Sequence, residues 1–164
     1  MVEHTGTHVP AGLKPGSKAP AFTLPRDGAG SVSLADFAGR KLVLYFYPRA
    51  DTSGCTKEAI DFSRLKSAFS RAGTDILGVS GDPVAAQDAF KKKHKLSIAL
   101  ASDEKHRMLD AYGVWQEKSM YGKKFLGIVR TTFLIGPDQR IAQIWPRVSV
   151  EGHAEAVLAA TKAL

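Results

Sequence analysis

Cys55 is the residue of this sequence whose type and position most clearly allow chemistry. It is the only cysteine among 164 residues, which excludes a disulfide within the chain and any metal site built from several cysteines. A lone cysteine is either a small buried apolar residue or a reactive thiol. The residues around Cys55 have to decide between these two interpretations.

The residues before Cys55 place it at the start of a helix. The apolar run over 41–47 is typical of a buried strand and stops at Pro48, and a short loop then leads into a helical segment. The first turn of a helix presents unpaired backbone N–H groups and the positive end of the helix dipole. Both stabilise an anion, so this position favours a thiolate and nucleophilic chemistry at sulfur.

The local sequence also leaves the alternative open. Thr52 and Ser53 are good helix caps in their own right, and a cysteine packed beneath the loop would need no reactivity. Against this, Cys55 lies outside the apolar stripe that includes Phe62 and Leu65, where a packed cysteine is expected. The residues near Cys55 therefore do not choose between a structural and a reactive thiol.

Short apolar stretches and helical patterns alternate along the chain. In chain order we expect a hairpin of 22–24 with 31–33, a strand at 41–47, a helix through Phe69, a strand at 75–80, a helix at 84–95, a strand at 98–100, a helix at 103–112, a hairpin of 131–135 with 140–144 and a helix at 150–164. This order predicts an α/β fold with a mixed central sheet flanked by helices. The thioredoxin-like architecture, with an N-terminal β-hairpin, is the best fit.

Length and composition are those of one globular domain. The chain is 44% hydrophobic and 24% charged, as in ordinary globular proteins. We expect a flexible tail at 1–14 and one domain at 15–164. No apolar run approaches the about 18 residues that span a bilayer, and the first residues lack the basic and apolar parts of a signal peptide. We therefore expect a cytoplasmic protein with no membrane partner.

The formal net charge of +7 raises the question of a nucleic-acid partner. The positive residues are scattered, however, and the one dense run is at 91–95. A run of this kind is typical of the solvated face of a helix. The sequence also has no zinc-ligand spacing, basic zipper or aromatic RNA-binding motif, so we expect no nucleic-acid partner and no bound metal.

Pro48, Thr52 and Cys55 have the P-x-x-x-T-x-x-C spacing of the peroxiredoxins. The flanking residues resemble the bacterioferritin comigratory protein, or peroxiredoxin Q, subfamily. The similarity runs from about Gly16 to the C-terminus and is carried by the stretches at 18–20, 45–48, 51–56, 112–115, 120–123 and 127–135. Several long matches in the same order make this a specific signal.

The resemblance implies a role for each matching residue. Cys55 resembles the peroxidatic thiolate, which attacks a peroxide oxygen and becomes a sulfenic acid. Arg130 resembles the arginine that holds the thiolate and polarises the O–O bond, a task for which a permanently charged group with fixed donors is suited. Thr52 resembles the hydroxyl that binds the peroxide, and Pro48 the ring that shields the site from water. No metal or organic cofactor is implied.

The sequence departs from its relatives where they carry a second, resolving cysteine. Many have it five residues after the first, where this chain has Ile60, and others have it near Lys91. The sulfenic acid must therefore be resolved by an external thiol, such as thioredoxin, glutaredoxin or glutathione, or by a second subunit. A second departure is Ser53, where relatives often have proline. We expect a monomer or weak homodimer.

Two other functions compete with a peroxidase of hydrogen peroxide or organic hydroperoxides. A thiol-disulfide exchange protein of the same fold would need a second thiol close to the first, and Gly54 and Thr56 flank a lone cysteine. A basic binding module that has lost its chemistry would have little reason to keep Pro48, Thr52, Cys55 and Arg130 together. The sequence leaves the preferred peroxide and the physiological reductant open.

The remaining conspicuous residues are given structural roles. None of the histidines has ligand spacing, so we expect packing or surface positions for His4, His8, His94, His106 and His153. Trp115 and Tyr121 are expected to line the pocket or fill the core. Glu58 is expected to be an acidic residue of the first helical turn, with a place in a hydrogen-bond network near Cys55 as the alternative.

Overall fold

A five-stranded mixed sheet forms the centre of the protein in the computed structural model, which describes residues 12–164. Strand β3 (Lys41–Phe46) lies in the middle, parallel to β4 (Thr74–Ser80) and antiparallel to β8 (Thr131–Ile135). Beyond β4 lies β5 (Ala99–Ser102), and beyond β8 lies β9 (Ile141–Trp145). The predicted mixed sheet is confirmed.

The apolar run of β3 is buried on both faces of the sheet. Leu42, Leu44 and Phe46 enter the core on one face, while Val43 and Tyr45 enter the core on the other. All five side chains are fully buried. An almost continuous apolar strand is stable only when both of its faces are covered, and this one ends where the loop to Cys55 begins.

Helices cover the sheet on the described part of the chain: α1 (Ser53–Arg64), α2 (Lys66–Arg71), α3 (Val84–His94), α4 (Arg107–Ala111) and α5 (His153–Ala163). The helix expected through Phe69 is divided, because the backbone leaves helical geometry at Leu65 (φ −95°, ψ 3°). The helix expected from Asp103 begins later. The helix found here, α4, starts at Arg107. Asp103 lies before it, and the Asp103 carboxylate accepts a hydrogen bond from the Leu109 N–H (2.8 Å).

The predicted N-terminal hairpin is confirmed as β1 (Thr23–Pro25) paired antiparallel with β2 (Ser31–Ser33). Asp27, in the turn between them, accepts hydrogen bonds from the Leu100 N–H (2.9 Å) and the Lys91 ammonium (2.8 Å). These contacts attach the hairpin to the edge of the sheet. Most of the tail expected at 1–14 lies outside the described residues, although Leu13 packs against the core.

A second hairpin was not predicted. Strand β6 (Trp115–Met120) pairs only with β7 (Lys123–Ile128), as a separate two-stranded sheet. Tyr121 (φ 53°) and Gly122 (φ 77°) form its turn, both in the left-handed conformation. Two consecutive left-handed residues are typical of a tight hairpin turn. The glycine at position 122 was therefore the feature of the sequence that indicated this hairpin. The charged residues in both strands interrupt the apolar alternation that predicts strands.

No helix of the described residues is long and apolar enough to cross a membrane.

Candidate active site

Cys55 lies in the first turn of α1, directly after the loop that follows β3. The helix starts with the hydrogen bond from the Thr56 N–H to the Thr52 carbonyl (2.8 Å). The thiol is only 1% exposed and packs in the same cluster as Ala59 and Phe62. The expectation that Cys55 lies outside the apolar stripe is therefore wrong, because spacings of four and seven residues put all three on one face of the helix. Burial by itself does not distinguish a reactive from a structural thiol.

The polar contacts of Cys55 favour the interpretation as a reactive thiol. Arg130 follows β7 and reaches across to α1, with Nη2 3.4 Å from Sγ of Cys55. Nη1 of the same guanidinium is 2.6 Å from Oε1 of Glu58. Although burial opposes its charge, Glu58 and Cys55 raise the pKa of Arg130 above its ordinary value. A structural cysteine needs no such partner, whereas a thiolate or a developing oxyanion does.

Glu58 is the residue of this site whose importance the sequence did not show. Its side chain is 2% exposed, and Oε2 has no hydrogen-bond partner among the described residues. Burial raises its pKa to about 7, although the Arg130 charge acts in the opposite direction. Its position three residues after Cys55, on the same helix face, was the available signal. The hydrogen-bond network considered as the alternative for Glu58 is the arrangement found.

Thr52 and Pro48 border the loop before Cys55. The Thr52 side chain is exposed, and its hydroxyl donates to the Arg49 carbonyl (2.9 Å) rather than capping α1. Pro48 is half-buried between the strand end and the loop. The structure thus brings Cys55 and Arg130 into direct contact. Thr52 and Pro48 lie near Cys55 in the chain, and the Thr52 hydroxyl is directed to the Arg49 carbonyl and not to the sulfur.

The loop itself is attached to the rest of the molecule at two points. The Ala50 N–H donates to Oδ2 of Asp82 (2.7 Å). Asp51, in the left-handed conformation (φ 63°), accepts from Nζ of Lys93 and lies 2.8 Å from Nε2 of His94. Hydrogen bonds from Lys93 and then His94 lower the pKa of Asp51. The loop geometry therefore depends on the C-terminal end of α3.

These contacts also revise the interpretation of the basic run at 91–95. Lys91 pairs with Asp27 (2.8 Å), and Lys93 and His94 pair with Asp51. Two of the five residues thus form ion pairs within the chain, and a third, His94, lies within hydrogen-bond distance of Asp51, so the run is not simply a freely solvated face. The run therefore contacts both the loop before α1 and the N-terminal hairpin.

The structure agrees with some of the remaining predictions and differs from others. Among the described histidines, His153 is buried beside Phe62 and His106 stacks on Trp115. His4 and His8 lie outside the described residues. Tyr121 is 97% exposed, so the expectation that it fills the core or lines a pocket is wrong. No cluster of metal-ligating side chains occurs between residues 12 and 164.

Comparison with known proteins gives one consistent picture. Residues 15–144 match the AhpC/TSA family. The chain is 46% identical over 147 residues to peroxiredoxin Bcp of Xanthomonas campestris, covering 88% of this chain and 92% of that protein. It is 40% identical over 147 residues to peroxiredoxin Bcp of Bacillus subtilis, covering 90% and 94%.

Solved structures agree in fold. Peroxiredoxin Q of Xanthomonas campestris superposes with a TM-score of 0.83 at 46% identity, covering 87% of this chain and 90% of that one. A PrxQ mutant of Xylella fastidiosa gives a TM-score of 0.89 at 37% identity, covering 93% and 98%. The expected thioredoxin-like architecture is confirmed. The chain belongs to the AhpC/TSA family and is a thiol-dependent peroxidase, a peroxiredoxin.

Proposed function

We propose that Cys55 is the peroxidatic residue and that Arg130 is its electrostatic partner. The contact between Nη2 of Arg130 and Sγ of Cys55 (3.4 Å) carries this proposal. The thiolate sulfur attacks one peroxide oxygen, the O–O bond breaks, and sulfur keeps that oxygen and its hydrogen as a sulfenic acid. The other oxygen leaves with the bonding electron pair and takes a proton from solvent, giving water or an alcohol.

Negative charge moves from sulfur to the leaving oxygen during this step. Arg130 is fixed beside the sulfur by its ion pair with Glu58 (2.6 Å), so its donors are aimed before the reaction begins. The Thr52 hydroxyl is assigned to bind the peroxide after turning away from the Arg49 carbonyl that it now contacts. Pro48 is assigned to shield this position from water.

An external thiol completes the cycle, because the chain contains no second cysteine. Its sulfur attacks the sulfenic sulfur, a mixed disulfide forms, and hydroxide leaves and is protonated to water. A second thiol then releases the Cys55 thiolate. The two positions at which relatives carry a resolving cysteine hold other residues here. Ile60 is 42% exposed, and Lys91 forms an ion pair with Asp27.

The substrates we propose are hydrogen peroxide and organic hydroperoxides. One solved structure, of the bacterioferritin comigratory protein of Xanthomonas campestris, is described as giving insights into that protein's alkyl peroxide reduction activity. The reductant is thioredoxin, glutaredoxin or glutathione. We assign the enzyme to the cytoplasm because its cycle consumes reduced thiols. It acts as a monomer or weak homodimer through one domain at 15–164.

The test is a brief peroxide pulse on the reduced protein, followed by a sulfenic-acid trap and mass spectrometry. One added oxygen, or one trap adduct, is expected on Cys55, and Cys55→Ser is the control. Turnover is then measured with dithiothreitol, glutathione with glutaredoxin, or the thioredoxin system as sole reductant. Slow oxidation of Cys55, no faster than that of a free thiol, would contradict the proposal. With peroxide in excess, sulfinic acid should accumulate as reductant is withheld.

A further inference from the structure

The second hairpin exposes an unusual amount of apolar surface. The described residues include six large apolar side chains that are exposed, and four of them lie on β6, β7 and the turn between: Met120 (55%), Tyr121 (97%), Phe125 (43%) and Leu126 (62%). Single exposed apolar residues are common on protein surfaces. A group of them on one element marks a surface that binds something. Phe125 pairs with Lys118 in the register and therefore lies on the same face as Met120, whereas Leu126 points to the opposite face of the hairpin. We call Met120, Phe125 and the turn residue Tyr121 the hairpin patch.

Tyr121 is held in this patch against its backbone preference. Its φ of 53° is in the left-handed region, which is unfavourable for residues with a large side chain and is easily adopted by glycine or asparagine. A turn selected only for stability would favour asparagine or glycine there. The exposed ring therefore does not stabilise the turn, which leaves the ring available for a contact with another molecule.

The base of the hairpin adjoins the active site. Strand β7 ends at Ile128, and Arg130, which contacts Cys55, follows two residues later. Nζ of Lys118, in β6, donates to the Ile128 carbonyl (2.9 Å). At about 3.3 Å per residue, the six residues of β7 carry the patch to roughly 20 Å from the site. That distance is within the contact area of one small protein docked over Cys55.

The charge around the patch limits the kind of partner. Within the hairpin Lys118, Lys123 and Lys124 outweigh Glu117, and Lys123 lies opposite Met120 in the strand register. A partner with acidic groups around an apolar face would complement it. A second copy of this chain would place like charges against each other at a two-fold interface.

We propose that the hairpin patch docks a protein dithiol reductant, with an apolar face around its attacking thiol and acidic residues at the rim. The inference rests on the proposed function, since the sulfenic acid needs an external thiol and Cys55 is 1% exposed. The docked thiol attacks the sulfenic sulfur, forms a mixed disulfide and displaces hydroxide, which becomes water. The partner's second thiol then releases the Cys55 thiolate and leaves the partner oxidised as its own disulfide.

The test compares protein and small-molecule reductants on the same variants. Tyr121→Asn suits the left-handed turn while removing the ring, Phe125→Ser removes an apolar side chain of the patch, and the double variant Lys123→Glu/Lys124→Glu reverses the charge beside it. The control for loss of an exposed apolar side chain is Leu164→Ser, outside the hairpin. The control for the charge change is the double variant Lys66→Glu/Lys162→Glu, at exposed lysines of α2 and α5. Circular dichroism and thermal unfolding verify that each variant is folded.

We expect KM for bacterial thioredoxin, recycled by its reductase and NADPH, to rise about 10-fold or more in each patch variant. Turnover with dithiothreitol and the rate of Cys55 oxidation should stay within about twofold of wild type, and the controls should match wild type. In wild type, the KM for thioredoxin should also rise with salt.

Several results would overturn the docking proposal and leave the peroxidase function intact. One is an unchanged KM for thioredoxin. Another is a wild-type enzyme that turns over with dithiothreitol but with neither thioredoxin nor glutaredoxin. A third is that the patch variants lose only binding to phosphatidylglycerol vesicles, or only self-association in sedimentation, while the KM for thioredoxin is unchanged. Failure of the proposed function looks different, because Cys55 would then fail to oxidise rapidly in wild type.

Discussion

The guanidinium of Arg130 joins two groups that lie three residues apart on α1. One nitrogen contacts Sγ of Cys55 at 3.4 Å, and another contacts Oε1 of Glu58 at 2.6 Å. A planar guanidinium makes these contacts from two different nitrogens at fixed positions, a geometry that the single nitrogen of an ammonium does not reproduce. The carboxylate fixes the arginine, and the arginine in turn faces the sulfur. At the scale of single residues, this shared guanidinium defines the site.

Replacing Arg130 with lysine tests this arrangement. Arg130→Lys keeps the positive charge but has to give up either the contact with Cys55 or the ion pair with Glu58. We expect the second-order rate of Cys55 oxidation to fall about 10- to 1000-fold, the range for losing an aimed donor in the transition state. Stopped-flow kinetics with hydrogen peroxide measure it. A lysine variant with the wild-type rate would remove Arg130 from the mechanism.

Glu58 makes a prediction about stability, because burial raises its folded-state pKa to about 7. The unfolded chain releases this proton near pH 4.5, so between about pH 4.5 and 7 the folded state binds more protons. The free energy of unfolding of wild type relative to Glu58→Gln should therefore fall as pH rises through this window, by up to about 3 kcal/mol. Urea denaturation across the window measures the difference. A pH-independent difference would mean that the pKa of Glu58 is not raised.

At the scale of elements, the start of α1 has to pass close to Arg130. A Cβ atom added to Gly54 would lie 3.2 Å from Nη2 of Arg130, although the backbone at Gly54 has no left-handed strain. The glycine therefore provides space for the guanidinium beside Cys55. Its role concerns neighbouring elements and not the turn itself.

Gly54→Ala should separate stability from activity. Alanine favours the helix by up to about 1 kcal/mol, while its methyl group pushes Nη2 away from the sulfur. We expect equal or higher thermal stability together with an about 10-fold slower oxidation of Cys55. Ser53→Ala, one residue earlier at an exposed position, should leave the oxidation rate unchanged. Equal rates in the two variants would show that the close approach to Arg130 has no effect.

The loop before α1 depends on α3 through Asp51. Asp51→Asn should weaken the contacts with Lys93 and His94, both 2.8 Å long, and let the loop that carries Thr52 move. We expect Cys55 oxidation to slow about 3- to 10-fold because the donors are less well placed. Hydrogen exchange at residues 49–52 should rise. Asp75→Asn breaks a comparable exposed ion pair, with Arg40, and should change neither quantity.

At the scale of the whole molecule, the core on the Cys55 side of the sheet includes a buried histidine. His153, at the start of α5, contacts the rings of Phe62 and Trp145, and its Nε2 lies 2.8 Å from the Thr132 hydroxyl. Burial, and then the charge of Arg130, lower its pKa to about 4. His153 thus joins helix α5 to the sheet, and the charge of Arg130 acts on it without a direct contact.

His153 should make the whole protein sensitive to acid. Between about pH 4 and 6.5 the unfolded state binds a proton that the folded state does not, so stability rises with pH in this window. Relative to His153→Gln, wild type should lose up to about 3 kcal/mol of unfolding free energy as pH falls from 6.5 to 4. The pH dependence of stability expected from His153 is opposite in sign to that expected from Glu58, so the two variants must be measured separately. A constant difference from pH 7 to pH 4 would rule out a depressed histidine pKa.

Much of this architecture could be predicted from the sequence because its signals are local. The apolar run of β3, the loop after Pro48 and the helix start at Cys55 follow from hydrophobic pattern and turn residues. The resemblance in the motif around Cys55 and at 127–135 then pointed to Arg130. The second hairpin was not predicted because its strands carry charged residues that lie outside the core. These residues interrupt the alternation of apolar and polar residues that predicts a strand.

The tertiary structure decided which side chains meet. Arg130 and Cys55 are separated by 75 residues, and their contact exists only because the end of β7 reaches the first turn of α1. The neighbours of Glu58 along the chain likewise do not determine whether its side chain is solvated or buried. Periodicity reports the face on which a residue lies, whereas burial, ion pairing and the resulting pKa depend on what packs against that face.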